Sequence, residues 1–171
     1  MKSDEQSING IIFVDYKDES QLDSVMAMVA KDLSEPYSIF TYRYFLERFP
    51  ELCILACPIN KPNDPIGCVV GKIDVEDVVG VDDVEKVEAG YIGMLAIMAS
   101  HRRQGIGTAL VREVLQRMKN LGCVSVTLET ETSNVAAQHL YQEQFGFIRE
   151  ELLVRYYLNW GDAYRLRLWF R

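Results

Sequence analysis

Long apolar runs and an excess of positive charge are missing from this chain, and histidines are scarce. No apolar stretch reaches the roughly 18 residues that a membrane span requires, so no membrane partner is expected. Only 2 histidines are present. Neither His101 nor His139 stands at metal-like spacing from Cys53, Cys57, Cys68 or Cys123, so no metal site is expected. The four cysteines read instead as buried, reduced thiols. Lys and Arg number 18 against 25 Asp and Glu, a net charge of −7. That balance argues against direct nucleic-acid binding, because phosphates need cations to neutralise them. Internal repeats and low-complexity tracts are lacking. The polar opening Met1-Lys2-Ser3-Asp4-Glu5 leads into no signal-like core, which makes the cytoplasm the expected compartment. The 171 residues suffice for a single domain, 1–171, with one sizeable core.

Apolar periodicity outlines the elements. Residues 11–16 read as a strand. Leu22, Val25, Met26, Val29 and Leu33 recur at helical spacing, with Ser20 and Asp23 placed as a capping box and Pro36 as the stop. A second short helix follows over 39–49, where Phe40, Tyr44 and Phe45 are expected to pack the core. Strands at 52–57 and 66–75 flank a turn with two prolines and make a hairpin. Residues 74–88 are acidic and lack a clear period, so they read as a surface loop, with an extended Val-rich centre as the alternative. The strand 89–99 feeds a glycine turn. The helix 105–121 is the strongest in the chain, with Ile106, Leu110, Val114, Met118 and Leu121 on its apolar face and Gly122 as a natural stop. A strand over 123–131 alternates Val124, Val126 and Leu128 with Ser125, Thr127 and Glu129. Asn134 caps a helix to about residue 144, and two strands, 147–158 and 164–170, close the chain. The expected class is α/β (mixed α+β).

The most informative stretch is Gly90-Tyr91-Ile92-Gly93-Met94-Leu95-Ala96-Ile97 followed by Arg102-Arg103-Gln104-Gly105-Ile106-Gly107. An apolar strand empties into a basic, glycine-bearing turn, and a helix starts there. Arg102, Arg103 and Arg112 concentrate positive charge against an acidic background. Backbone N–H groups at such a turn, backed by a helix N-terminus, suit a diphosphate. Three phosphate motifs compete. A Walker turn needs a lysine after its last glycine, and none follows Gly107. A dinucleotide fingerprint needs a third glycine, where Leu110 stands. The pattern Arg/Gln-x-x-Gly-x-Gly/Ala is met by Arg102, Gly105 and Gly107.

That motif, joined to Asn134, Tyr141 and the ending Phe145-Gly146-Phe147, resembles the GNAT acetyltransferases over nearly the whole chain. The resemblance implies a central twisted mixed sheet flanked by about four helices, with acetyl-CoA as cosubstrate. Within that superfamily, Leu33-Ser34-Glu35-Pro36-Tyr37-Ser38, Tyr42-Arg43-Tyr44-Phe45, Leu128-Glu129-Thr130-Glu131 and Arg155-Tyr156-Tyr157-Leu158-Asn159 resemble the N-terminal acetyltransferases, most closely the NatC-type catalytic subunits. The resemblance implies acetylation of the α-amine of nascent polypeptides that begin with Met and a large apolar residue. It further implies auxiliary NatC subunits and a place near the ribosome. The acidic stretch 74–88 is long for the family, and His101 stands where relatives often have Tyr.

The chemistry joins an amine to a thioester. Freeing an α-amine of its proton at neutral pH costs only about 1 kcal/mol, against about 4.6 kcal/mol for a lysine side chain. A modest base then suffices, and alignment supplies most of the advantage. Glu129 lies in the polar set of its strand and is the candidate base, directly or through a water; Glu131 shares that face and competes. The resemblance makes Tyr141 the acid for the departing thiolate, with a place in the core as the alternative. Asn134 caps its helix and is a candidate contact to the cofactor. Backbone groups of Leu95, Ala96 and Ile97 are expected to meet the pantetheine arm. Arg102, Arg103, Gln104, Gly105, Ile106, Gly107 and Thr108 form the expected diphosphate cradle. The acceptor site is expected from Glu35, Pro36 and Tyr37 on one side and Tyr156 and Tyr157 on the other. Strand alternation would turn one of the last two, Tyr156, toward the cleft. No cysteine stands in a site position, so transfer is expected to be direct, within a ternary complex. The rival readings are a GNAT enzyme for lysine or small amines, and a non-catalytic acetyl-CoA-binding subunit.

Overall fold

A strand with apolar side chains on both faces must be covered on both faces, and the segment 53–57 of this chain is of that kind. The computed structural model describes residues 7–32 and 37–171. Its strands are β1 (Ile11–Asp15), β2 (Cys53–Pro58), β3 (Gly67–Val79), β4 (Val84–Ile97), β5 (Ser125–Glu131), β6 (Ile148–Leu153) and β7 (Ala163–Trp169). They follow the order β1-β2-β3-β4-β5-β7-β6. β4 and β5 run parallel, whereas β1–β2, β2–β3, β5–β7 and β6–β7 are antiparallel. With them come α1 (Leu22–Asp32), α2 (Ile39–Arg48), α3 (Ile106–Asn120) and α4 (Val135–Gln138). The mixed sheet and four helices agree with the expected class. The chain divides into two compact units, Met1–Gly71 with Met94–Val114, and Lys72–Gly93 with Leu115–Arg171.

In the first unit β2 is buried from Cys53 to Cys57. Leu22, Val25, Met28 and Val29 form the buried face of α1. Met28, rather than Met26, belongs to that face, and Leu33 lies outside the described residues. The start of α1 also differs from expectation. Asp18, not Ser20, is the cap: its carboxylate accepts from Ser20 N–H at 2.9 Å and opens a short turn, Glu19–Gln21, before the helix. A carboxylate reaches that N–H without bending the chain, so the capping-box geometry is not needed. On α2 the buried stripe is Tyr42, Phe45 and Leu46, at i, i+3 and i+4. Phe40, 75% exposed, and Tyr44, 39% exposed, therefore fall on the other side, against expectation.

In the second unit the acidic stretch 74–88 is not a loop. β3 and β4 continue through it as a hairpin whose turn is closed by Gly80 N–H donating to the Asp83 carbonyl at 2.8 Å. Lys86 pairs with Asp77 at 3.0 Å. Val75, Val79, Val81 and Val84 are all exposed. The hairpin projects past any core that would impose an apolar/polar alternation, so its periodicity is invisible in the sequence. Gly90 is required by close approach: an added Cβ there would run into the Met118 side chain of α3 and come within 3.1 Å of Val126 Cγ2. The last helix reaches Gln144 as expected, but in two forms: α4 covers Val135–Gln138 and a π-helical turn, His139–Gln144, continues it. β6 ends at Leu153, not near 158. Leu121 lies beyond α3 and is 45% exposed.

All four cysteines are free and buried. Burial pushes Cys53 and Cys68 up to about 12, Cys57 to about 11, and the Tyr42 phenol to about 12. The folded chain thus keeps protons that the unfolded chain releases from about pH 9 for thiols and about pH 10 for the phenol. Stability from these groups is fully present below pH 9 and is lost as pH rises toward about 12. Melting temperatures recorded from neutral to alkaline pH should fall steadily above about pH 9, and Cys68→Ala should soften that fall.

Candidate active site

β4 ends at Ile97, and the next residue, Met98, donates its N–H to the Ile66 carbonyl at 2.8 Å. Amide direction alternates along a strand, so Ala96 N–H faces the same way as that of Met98, toward β3, while Leu95 and Ile97 N–H face away. Of the three residues expected to meet a pantetheine arm, Ala96 thus directs its N–H toward β3, and Leu95 and Ile97 direct theirs to the other side. The Ile97 N–H is held by the Asp32 carboxylate at 3.2 Å. A short turn, Ala99–His101, follows. Arg103 (φ 60°) and Gly105 (φ 78°) then take the left-handed conformation, and α3 begins at Ile106. This doubling-back gathers backbone N–H groups at a helix start whose first amides have no acceptor within the helix.

The turn is open around both of its glycines. A Cβ added at Gly105 would meet nothing within 4 Å among the described residues, and one at Gly107 only Ile97 Cγ1, at 3.9 Å. Gln104 and Gly105 lie in the turn, and Ile106, Gly107 and Thr108 open α3. Arg102 is a different matter. Its guanidinium pairs with Asp32, and its Nε donates to the Ile97 carbonyl at 3.2 Å.

The second unit holds the acid–base candidates. β4 and β5 pair at Ala89–Ser125, Gly90–Val126 and Tyr91–Thr127, which puts Tyr91 on the face of Thr127 and Glu129. The Tyr91 hydroxyl donates to Glu129 Oε2 at 2.5 Å. Register sets Glu129 opposite Arg165, whose Nε and Nη2 each approach Oε1 at 3.4 Å. The Glu129 side chain is 9% exposed, so it is not a solvated strand carboxylate. Arg165 also donates to Glu151 at 2.9 Å, and Arg167 to Glu150 at 2.8 Å and Glu76 at 3.0 Å. Neighbouring residues of a strand face opposite ways, yet Glu150 and Glu151 both reach the arginine face. The register shift in β6 between Arg149 and Glu151 allows it. Lys72 lies 5.2 Å from the Tyr91 ring centroid.

Asn134 caps α4, its Oδ1 accepting from Ala137 N–H at 3.0 Å, which leaves the carboxamide NH2 as the end able to meet a ligand. Tyr141 is buried in the π-helical turn, its ring edge-on to Phe147 at 5.5 Å. Burial pushes its phenol up from the usual range, so it carries its proton at any physiological pH. Tyr156 and Tyr157 lie in the β6–β7 connection rather than on a strand, so strand alternation does not separate them. Their rings pack edge-on at 5.0 Å, with Tyr156 45% exposed. Arg155 (φ 53°), whose N–H donates to Asp162 at 2.8 Å, sets that turn. Tyr37 sits edge-on to Tyr42 at 6.0 Å; Glu35 and Pro36 lie outside the described residues. Tyr91, Arg165 and Asp32 were not among the expected site residues. Tyr91 lies within the strand that feeds the turn, but only the β4–β5 register reveals that it meets Glu129. Among the described residues no group of His, Cys, Asp and Glu is placed to hold a metal, and no helix is long and apolar enough to cross a membrane.

A strand-to-helix anion turn followed by a carboxylate-bearing parallel strand describes an acyltransferase scaffold. The Acetyltransferase (GNAT) family profile matches residues 22–147, and the chain belongs to that family. It is 45% identical over 158 residues to N-alpha-acetyltransferase 30 of Saccharomyces cerevisiae, covering 91% of this chain and 85% of that protein. Against the human N-alpha-acetyltransferase 30 it is 44% identical over 161 residues, which are 94% of this chain but 41% of that protein. The chain therefore spans less than half the length of that human relative. A chain of the crystal structure of the NatC complex bound to Gag peptide and CoA superposes with a TM-score of 0.84 at 41% identity, covering 94% of this chain and 99% of that one.

Because Gly105 has φ 78° with open space around a Cβ, Gly105→Ala should act through backbone strain alone. The expected cost is about 1–2 kcal/mol in urea unfolding, with CoA affinity falling further than stability as the N–H groups are re-aimed.

Proposed function

We propose that this chain, acting as one acetyltransferase domain, moves the acetyl group of acetyl-CoA to the α-amine of polypeptides that begin with Met and a large apolar residue. The observation that carries the proposal is the Glu129 carboxylate, sequestered with Tyr91 and Arg165 on the strand that follows the anion turn and α3. Identity of 45% with N-alpha-acetyltransferase 30 along 91% of the chain supports the same reading. Acetyl-CoA supplies the activated acyl thioester. Backbone N–H groups of Gln104–Thr108, with Arg103 beside them, hold the diphosphate, and the Leu95 N–H is directed toward the pantetheine arm. Glu129 accepts the proton of the attacking α-ammonium, directly or through a water. The amine nitrogen then bonds to the acetyl carbon and the carbon–sulfur bond breaks, with the Tyr141 O–H directed to the departing sulfur. Asn134 contributes its carboxamide NH2 to the cofactor arm. Tyr37, Tyr156 and Tyr157 are the described candidates for the acceptor's apolar side chain. Burial pushes all four thiols upward, which supports direct transfer over an acetyl-cysteine route. Auxiliary subunits, as in the NatC complex, and cytoplasmic work beside the ribosome belong to the proposal.

The test is transfer of labelled acetyl groups to peptides opening Met-Leu, Met-Glu or Ser-Glu and to an N-blocked lysine peptide. Met-Leu should be preferred. Glu129→Gln should lower kcat by about a hundredfold, and Tyr91→Phe, which only holds that carboxylate, by less than tenfold. Transfer to the lysine peptide instead would overturn the substrate class. Cofactor binding without turnover, with auxiliary subunits present, would leave a binding subunit.

A further inference from the structure

Asp32 is the last described residue of α1, and a carboxylate on a helix surface ordinarily faces solvent. It is nonetheless drawn inward, its side chain 18% exposed. One oxygen accepts from the Ile97 N–H at 3.2 Å. The other accepts from Arg102 Nη2, and Arg102 Nε returns to the Ile97 carbonyl at 3.2 Å. Three bonds thus close a ring around the final residue of β4, and both backbone polar groups of Ile97 are held by side chains. The ring lies on the wall of a cavity of about 450 Å³ that also exposes Met28, Lys31 and Pro65. Arg102 is the first residue of the anion-turn motif, and its charge is met by Asp32 from within the chain.

We propose that Asp32 and Arg102 are a positioning pair: they fix the end of β4 so that the Arg103–Thr108 turn is preset for the cofactor's diphosphate, and Arg102 is not itself a ligand of that group. The inference rests on the acetyl-CoA reading above. An arginine that bound phosphate directly would be released by removing its internal carboxylate, and the cofactor would then bind more tightly. An arginine that positions the turn needs its partner, and the cofactor would bind more weakly. The two roles predict opposite signs.

The measurement is the Kd of CoA by calorimetry for the full chain and for Asp32→Ala, Asp32→Asn, Arg102→Ala and the Asp32→Ala/Arg102→Ala double variant, with melting temperatures alongside. Each alanine variant should raise Kd by about tenfold, the loss of a charge-assisted bond, and the double variant should be no worse than the weaker single one. Asp32→Asn keeps an oxygen for the Ile97 N–H and should lie between, which provides a second, milder probe if the alanine variant unfolds. The salt dependence of Kd should be unchanged in Arg102→Ala, because the lost charge was already neutralised. Tighter binding in Asp32→Ala, additive losses in the double variant or a flatter salt dependence in Arg102→Ala would each overturn the proposal. A wild-type chain that binds CoA but acetylates no N-terminal amine would sink the proposed activity and leave these affinities decisive. A wild-type chain that does not bind CoA would sink both.

Discussion

The first unit is organised around one demand. The chain must leave the sheet at Ile97 and start a helix at Ile106, and its backbone N–H groups must not be buried unpaired. Arg103 and Gly105 turn the chain through the left-handed region. For Arg103 that conformation costs about 1–2 kcal/mol. The cost is offset where the helix is anchored: Ile106, Leu110 and Val111 are at most 2% exposed, and each buried side chain of this kind contributes about 1.5–3 kcal/mol. The first turn of a helix has backbone N–H groups with no acceptor inside the helix, and α3 starts abruptly at Ile106. A well-anchored helix that begins in this way suits an anion at its start.

The second unit solves a charge problem. β7 carries Arg165 and Arg167 two residues apart, hence on one face. Two guanidinium groups on one strand repel, and Arg167 is nearly buried. Four carboxylates answer them: Glu129 and Glu151 for Arg165, Glu76 and Glu150 for Arg167. The bulge in β6 brings Glu150 and Glu151 to the same side. Exposed pairs such as Arg165–Glu151 contribute at most about 1 kcal/mol each. Their effect is geometric, because they hold Arg165 in one place while it sits beside Glu129.

Much of this was legible in the sequence and some was not. The glycine turn, the α3 face and the polar set of β5 follow from local pattern, so the turn itself and the face on which Glu129 lies could be read in advance. Phe40 and Tyr44 misled because aromatic residues at helical spacing satisfy two different stripes, and only packing selects Tyr42, Phe45 and Leu46. The hairpin over 74–88 escaped because exposed strands carry no apolar period. Tyr156 and Tyr157 were assigned to a strand that stops at Leu153, where the left-handed Arg155 makes a turn that its sequence does not announce. Tyr91, Arg165 and Asp32 were missed for one shared reason. Each matters through a partner at least 36 residues away in sequence, and register, not motif, brings such partners together.

Burial gives Glu129 and Tyr141 different abilities. Glu129 is held as an acceptor by two donors, and an α-amine asks little of its base, since its deprotonation near neutrality costs about 1 kcal/mol. Tyr141 has the opposite character. A phenol with an ordinary pKa near 10 already lies above a thiol near 8.5, so full proton transfer to a departing thiolate is uphill by about 2 kcal/mol. Burial pushes Tyr141 higher still, and the mismatch grows. The group is therefore poorly suited to handing over its proton and well suited to keeping it while directing an O–H toward sulfur. Such a hydrogen bond strengthens as negative charge gathers on the leaving group. On this chemistry the thiolate leaves stabilised rather than protonated and takes its proton later from solvent.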